Sequence, residues 1–478
     1  MPQSNIKSFV EKLTQAIADN NSLLCVGLDP DPHSYPAHFP ETIDAAALTA
    51  WGKSLIEQTC DLVCCYKPNF AFYEQFGPAG LEALQQTIAA APKDIPVLLD
   101  VKRGDIGSTA AAYARAAFEV WGADAVTLNP YLGQDSVAPF LAYPGKMAFV
   151  LDYTSNPSAA EVQEFGAPDE PLFERIARRS GTWGNAKQIG LVVGATHPHA
   201  LSRIRQLCAG ACWILAPGIG SQGGNLSAAL EAGLDQDGSG LIIPVSRNII
   251  YAKDPRAKTL TLRGQINQLR QRIQENRQAD SSHIDLILSL HALDCIQFGN
   301  FTLSSGQQSP IYIDLRNITA SPAILQQIAH AYANMVRSLT FNRLAAVPYA
   351  ALAIGTAVSL TTRHPLIYPR KEKKKYGTRR HVEGKFAPGE TVVVIEDLVT
   401  SGGSVLNAIN TLEDAGLKIL DVVALINREQ GGREALAKKG YQLHTLFTLP
   451  DILNTLHQAK RISPAQFKKV MQYLERQG

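Results

Sequence analysis

Residues 98–114 read LLDVKRGDIGSTAAAYA: an aliphatic run that delivers Asp100, Lys102, Arg103 and Asp105 within six positions. Side chains alternate along a strand, so Asp100 and Lys102 are expected on one face. Asp105 follows in the loop or the first helical turn. Flanking carboxylates favour the ammonium form, so Lys102 stays protonated. A cation held among anions stabilises developing negative charge or donates a proton to it. Lys67, in CYKPNF, ends the preceding apolar run and completes an Asp–Lys–Asp–Lys array. The alternative is a solvated salt-bridge cluster at the rim of a sheet.

A second stretch, TVVVIEDLVTSGGSVLNAINTLEDAG (391–416), runs from an aliphatic strand through Glu396 and Asp397 to a Thr/Ser/Gly loop and then a helix. Small residues before a helix N-terminus let backbone N–H groups cradle a phosphate. No GxxxxGK[ST] pattern is present there, which disfavours a Walker-type loop. The acidic pair suits ribose hydroxyls, directly or beside Mg²⁺. A third stretch, RKEKKKYGTRR (370–380), sets seven basic residues against Glu372. Taken alone it reads as a solvated loop or a nucleic-acid patch. Beside a bound phosphate group it would serve better as a loop that closes over the anion and excludes water.

The elements that position these residues follow a rhythm. Over the first ~255 residues, eight short aliphatic runs end in polar or glycine-containing residues and lead into helical stretches: SLLCVGLD, DLVCCYKPN, IPVLLDVK, AVTLNP, MAFVLDYTS, IGLVVGAT, CWILAPGIG and GLIIPVSR. Continuous apolar strands imply a parallel sheet covered on both faces. Eight such units imply a (β/α)8 TIM barrel, with an open doubly wound sheet as the alternative. The strand ends carrying the charges are then at the face where barrel active sites are built. Leu262, Ile266, Leu269 and Ile273 predict a terminal helix for a first domain over 1–274. The polar stretch 275–282 reads as a linker. Residues 283–478 alternate again, with roughly five strands, and read as a smaller α/β domain on an open parallel sheet.

The chain has 478 residues and a formal charge of +2, so length favours two domains and no global field draws it to nucleic acid or membrane. No run approaches ~18 apolar residues. The N-terminal stretch predicts an amphipathic helix with Phe9, Leu13 and Ile17 on one face, without the apolar centre of a signal peptide. The seven cysteines, Cys208 and Cys212 among them, form no zinc-like spacing and read as buried free thiols in a reducing cytoplasm.

The first stretch closely resembles the DxKRGDIgsT signature of orotidine 5′-phosphate decarboxylases, and CVGLDPD, YKPNFAFYEQFG, TLNPYLG, DYTSNP, LAPGIGSQGGN and VSRNIIYA match that family's other strand ends in order. The resemblance implies a cofactor-free decarboxylase whose charged network is Lys67, Asp100, Lys102 and Asp105, with Lys102 protonating C6 of the pyrimidine. It implies that Asp29 holds the ribose and Ser155 the base. Asp105, Ile106 and Thr109 would reach a neighbouring subunit's site, hence a homodimer or higher homo-oligomer. The phosphate site is also argued physically: the last two strand ends supply glycines and a bidentate cation, through Gln222, Gly223 and Arg247.

The second half, with FGNFTLSSGQQSPIYIDLRN, VPYAALAIG, the basic run and LINREQGG, resembles orotate phosphoribosyltransferases over about residues 284–475. The resemblance implies that Thr400, Ser401, Gly402, Gly403 and Ser404 hold the 5-phosphate of phosphoribosyl pyrophosphate, with Glu396 and Asp397 on the ribose. Arg428 would meet the orotate carboxylate. Arg370 and Lys371 would neutralise pyrophosphate, and Lys374 would reach a partner's site. Mg²⁺ would arrive with phosphoribosyl pyrophosphate rather than on direct protein ligands. Ser304 and Ala350 stand where many relatives have lysines, which predicts slower turnover or weaker pyrophosphate binding. Together the halves would make UMP from orotate in a cytoplasmic, membrane-free enzyme acting on small molecules and not on nucleic acid. The rival readings are a Mg²⁺-dependent sugar-phosphate lyase fused to a purine transferase, and a nucleotide-sensing regulator.

Overall fold

The computed structural model describes residues 7–34, 44–167, 170–208, 212–219, 224–302, 306–370 and 381–476. They form two compact units that divide between Arg277 and Gln278.

In the first unit each expected aliphatic run contains a strand: β1 Leu24–Gly27, β2 Cys65–Lys67, β3 Leu98–Arg103, β4 Ala125–Leu128, β5 Met147–Tyr153, β6 Ile189–Val193, β7 Ile214–Leu215 and β8 Leu241–Val245. All neighbouring pairs are parallel, in the order β2-β1-β8-β7-β6-β5-β4-β3. Parallel bridges Tyr66–Val97 and Asn69–Asp100 join β2 to β3, so the sheet closes on itself as the TIM barrel. β1, β4, β6 and β8 are buried throughout, which is why they read as unbroken apolar runs. The helix Phe9–Asn20, capped reciprocally by Ser8 and Glu11, buries Phe9, Leu13, Ala16 and Ile17, and Phe9 meets Phe149 edge-on at 5.7 Å.

The ladder is irregular at two strand ends. Pairing of β3 with β4 jumps from Leu99 to Arg103, and pairing of β5 with β6 jumps between Leu151 and Tyr153. Such bulges re-aim side chains beside active sites.

Two expectations are corrected. Residues 275–282, where the two units divide, are helical and not a break between two helices: one helix runs from Pro255 to Ala292. The stretch is polar, but no glycine or proline occurs between Gln265 and Phe298, and Gln, Arg and Glu are good helix formers. Ile266 and Ile273 bury in the first unit's core, while Leu286, Ile287 and Leu290 bury in the second's. Cys208 and Cys212 are also not free thiols. Cys208 ends the helix Pro198–Leu207 and Cys212 leads into β7, which brings their Cα atoms to 5.7 Å, and they form a disulfide. Cys25, Cys60, Cys64, Cys65 and Cys295 are free.

The second unit begins with an antiparallel ribbon of β9 Ile296–Thr302 and β10 Gln308–Ile313. A six-stranded sheet follows: β11 Arg343–Ala346, β12 Leu366–Pro369, β13 Val382–Glu383, β14 Thr391–Val399, β15 Lys418–Asn427 and β16 Gln442–Thr448. Its order is β13-β12-β11-β14-β15-β16, with the five long strands parallel and β13 antiparallel at the edge. This is the open α/β sheet expected, with one added edge strand. Among the described residues no helix is long and apolar enough to cross a membrane.

Candidate active sites

The mouth of the barrel holds a cavity of about 670 Å³, the size range of small-molecule sites. Lys67, from the end of β2, and Asp100 and Lys102, from the end of β3, all line it. Lys67 Nζ donates to Asp100 Oδ2 at 3.0 Å, and Lys102 Nζ to Oδ1 at 2.6 Å. One buried carboxylate thus carries a cation on each oxygen. Burial disfavours the Asp100 anion, yet Lys67, Lys102 and Thr127 outweigh it and hold the carboxyl well below the usual range. Burial likewise opposes charge on Lys67, but Asp100 and Asp29 hold its amine above the usual lysine range. Lys67 and Asp100 are therefore both charged at neutral pH.

Asp100 and Lys102 meet as expected, though not through a regular pleat. Lys102 has φ 44°, in the left-handed region, within the β3–β4 register break. Thr127, on β4, was not foreseen. Its hydroxyl donates to Asp100 Oδ1 at 2.8 Å. A lone hydroxyl inside an otherwise apolar strand was its only mark in the sequence.

Asp29, after β1, also lines the cavity, and its Oδ1 accepts from Asn69 N–H at 3.1 Å. Tyr251, likewise unforeseen, donates to Asp29 O at 2.9 Å and accepts from Asp31 N–H at 2.6 Å. The YA of VSRNIIYA was the available signal. Ser155 and Arg247 line the cavity, Arg247 opening the short helix Arg247–Ile250. Gln163 closes the loop after β5, accepting from Thr154 N–H at 2.8 Å and donating to Thr154 Oγ1 at 2.8 Å. Asp105, Ile106 and Thr109 are not brought to the cavity lining. Asp105 Oδ1 accepts from Ile106 N–H at 2.8 Å, Ile106 is 55% exposed, and Thr109 is exposed. Gln222 and Gly223 lie outside the described residues.

In the second unit, Glu396 and Asp397 near the end of β14 precede the loop 400–402 and the helix Gly403–Asp414. Glu396 is buried, accepting from Asp397 N–H at 3.0 Å and from Ser404 Oγ at 3.4 Å. Burial, then neighbouring Asp397, pushes its carboxyl well above the usual range. The buried Tyr332 donates to Glu396 O at 2.6 Å and fixes the strand end from behind. Gly402 has φ 81°, a conformation glycine adopts without strain, and its backbone packs against Gly432 of the REQGG loop. These packed loops leave backbone N–H groups at the start of an N-terminal helix turn, the geometry of an anion cradle.

Arg428, just after β15, is buried, and among the described residues its Nε and Nη2 have no hydrogen-bond partner. Burial pulls its guanidinium below the usual range, with Tyr473 opposing. A buried cation with two idle donors is built to meet an anion. Arg370 pairs with Glu383 of β13 at 2.8 Å, while Lys371, Lys374 and Ser304 lie outside the described residues. Of the acidic pair, Glu396 is buried and already accepts from Asp397 N–H and Ser404, which leaves Asp397 as the carboxylate beside which Mg²⁺ carried by a phosphate ligand would fit.

Comparison with known proteins places each half in a family. Residues 22–261 match the orotidine 5′-phosphate decarboxylase / HUMPS family, and residues 314–443 match the phosphoribosyl transferase domain. A bifunctional enzyme PyrF/PyrE from Nostoc sp. is 43% identical over 471 residues, covering 96% of this chain and 98% of that one. An orotidine 5′-phosphate decarboxylase from Thermomicrobium roseum is 50% identical over 248 residues, 51% of this chain and 87% of that one. The structure of Leishmania donovani UMP synthase aligns with a TM-score of 0.53 at 42% identity, covering 98% of this chain and all of that one. The chain belongs to the bifunctional family that joins an orotidine 5′-phosphate decarboxylase / HUMPS barrel to a phosphoribosyl transferase domain.

Proposed function

We propose that the chain carries out the last two steps of UMP synthesis, with each step assigned to named residues. The second unit joins orotate to phosphoribosyl pyrophosphate, giving orotidine 5′-phosphate and pyrophosphate. The barrel then decarboxylates that product to UMP. The observation that carries the reading is the Lys67–Asp100–Lys102 array at the mouth of a nucleotide-sized cavity, in the same chain as an acidic strand end feeding a glycine loop.

In the barrel, cleaving the bond from C6 to the carboxylate releases carbon dioxide and leaves the electron pair on C6. That pair lies in the ring plane, where the π system does not delocalise it. Lys102 stabilises it as it forms and donates its proton to C6. Asp100 holds Lys102 in place before substrate arrives, so little reorganisation is needed at the reaction. Asp29 orients the ribose and Ser155 the base. Arg247, with Gln222 and Gly223, grips the phosphate and supplies binding energy remote from C6. Exposed Ile106, together with Tyr131 at 84% exposure and Leu132 beside it, supports a second copy docking here, with Asp105 and Thr109 completing its neighbour's site.

In the transferase, the 400–404 loop holds the 5-phosphate, Glu396 and Asp397 the ribose, and Arg428 the orotate carboxylate. Arg370, Lys371 and Lys374 attend the pyrophosphate. Mg²⁺ bound to phosphoribosyl pyrophosphate would neutralise the leaving group.

The test adds orotate, phosphoribosyl pyrophosphate and Mg²⁺ to the purified chain and follows orotate absorbance and UMP. UMP formation supports the reading, and intact orotate after prolonged incubation sinks it. EDTA added to an assay started from orotidine 5′-phosphate should leave decarboxylation unchanged.

A further inference from the structure

We propose that Thr127 is a positioning residue of the decarboxylase, whose hydroxyl fixes where the Asp100 carboxylate and the Lys102 amine sit. The inference rests on the decarboxylase reading above. A hydroxyl has one hydrogen and two acceptor lone pairs. Both acceptor positions of Thr127 Oγ1 are taken, by Val101 N–H and Lys102 N–H, each at 3.0 Å. Its single hydrogen is left for Asp100 Oδ1 at 2.8 Å. The direction of that bond is thus forced, and it favours the ionised carboxylate.

The same hydroxyl sustains the backbone that aims Lys102. Pairing between β3 and β4 skips from Leu99 to Arg103, so Val101 and Lys102 sit where the ladder is interrupted. Their N–H groups need other partners, and Thr127 supplies one atom for both. Lys102 adopts φ 44°, which a residue with a side chain enters only when its surroundings hold it there. From that backbone its Nζ folds back to Asp100 Oδ1 at 2.6 Å, onto the oxygen that Thr127 also touches. Thr127 is 1% exposed, and its branched side chain has few rotamers, so the hydroxyl does not wander. One atom therefore ties together the carboxylate, the strained backbone and the lysine that protonates C6.

The experiment uses the full chain and compares Thr127→Val, which keeps the shape, with Thr127→Ser, which keeps the hydroxyl. Thr127→Val should lower kcat for orotidine 5′-phosphate decarboxylation by about ten- to a hundred-fold, the loss expected for a hydrogen bond to a charged group. Its affinity for UMP should stay within about threefold, because the substrate contacts remain. Thr127→Ser should retain kcat within about threefold. Transferase activity and the melting temperature report whether each variant is folded. Should the valine variant not fold, Thr127→Cys replaces it, because a thiol is a weak donor and acceptor, and it should show the same fall in kcat. Wild-type kcat in a variant lacking the hydroxyl overturns the proposal, as does a serine variant that folds yet loses as much kcat as valine. A wild-type chain that leaves orotidine 5′-phosphate intact would instead sink the decarboxylase reading itself.

Discussion

Lys102 Nζ stands 2.6 Å from Asp100 Oδ1, a contact made from a lysine backbone at φ 44°. The strain is local and the gain is functional: the amine is aimed before substrate binds, and Lys67 on the opposite oxygen keeps Asp100 ionised. On the proposed mechanism, Lys102→Ala removes the proton donor, and it removes one of the two cations on Asp100. Decarboxylation should fall by at least about 10³-fold, and orotidine 5′-phosphate should accumulate from orotate. Chromatography of the products at matched times checks this. UMP at the wild-type rate would remove Lys102 from the mechanism.

The transferase loop offers a test that leaves the barrel alone. A Cβ added at Gly432 would press on Thr400 O more closely than real Cβ atoms do, and would stand 2.6 Å from Val399 Cγ1. A backbone oxygen cannot yield as a flexible side chain does. Gly432→Ala should therefore displace the 400–404 loop and raise the KM for phosphoribosyl pyrophosphate by at least about tenfold, with decarboxylation from orotidine 5′-phosphate unchanged. Equal KM values in wild type and variant would show that the two glycine loops do not set the phosphate site.

Arg428 carries its charge in a buried place with Nε and Nη2 unpartnered among the described residues. An orotate carboxylate would satisfy both donors at once. Arg428→Lys keeps the charge but not the fork, so it should still raise the KM for orotate by about tenfold or more, with the KM for phosphoribosyl pyrophosphate little moved. Initial-rate measurements with each substrate varied in turn separate the two effects.

Much of this was legible in the sequence for a physical reason. Parallel strands buried on both faces leave continuous apolar runs, so all eight barrel strands and their polar or glycine-containing ends stood out. Asp100 and Lys102 were conspicuous because charge is expensive in such a run. Thr127 was not, because threonine is common in strands for its branched shape alone, and only coordinates show its hydroxyl saturated. The unbroken helix across 275–282 was missed because polarity suggested an irregular linker, whereas helix formation needs only good formers and no breaker. The Cys208–Cys212 disulfide depends on how a helix end turns into β7, which spacing does not encode.

Tyr251 ties the Asp29 side of the cavity to the Arg247 side. It caps the end of the short helix that Arg247 opens, and its hydroxyl bridges Asp29 O and Asp31 N–H while its ring stacks on Trp51 at 6.1 Å. Tyr251→Phe keeps the stacking and removes both hydrogen bonds to the loop that presents Asp29. The KM for orotidine 5′-phosphate should rise by about five- to thirty-fold, from two lost bonds of ordinary strength. Steady-state kinetics of the two proteins decide it, and an unchanged KM would mean the loop holds Asp29 unaided.

Asp152 provides the last test, on stability instead of rate. It lies in the irregular stretch of β5, is 1% exposed, and neither carboxylate oxygen has a hydrogen-bond partner among the described residues. Burial raises its carboxyl well above the usual range. In the unfolded chain the same group ionises near pH ~4. As pH climbs from there toward the folded value, the unfolded state releases its proton first, so folding stability is lost across that window. Asn at this position has no proton to lose and nearly the same shape. The melting temperature of Asp152→Asn should therefore match wild type near pH 4 and exceed it increasingly toward pH 8. Melting curves of the two full-length proteins across that range give the answer. A difference independent of pH would mean that Asp152 has found a partner and does not sit in the barrel wall as an isolated acid.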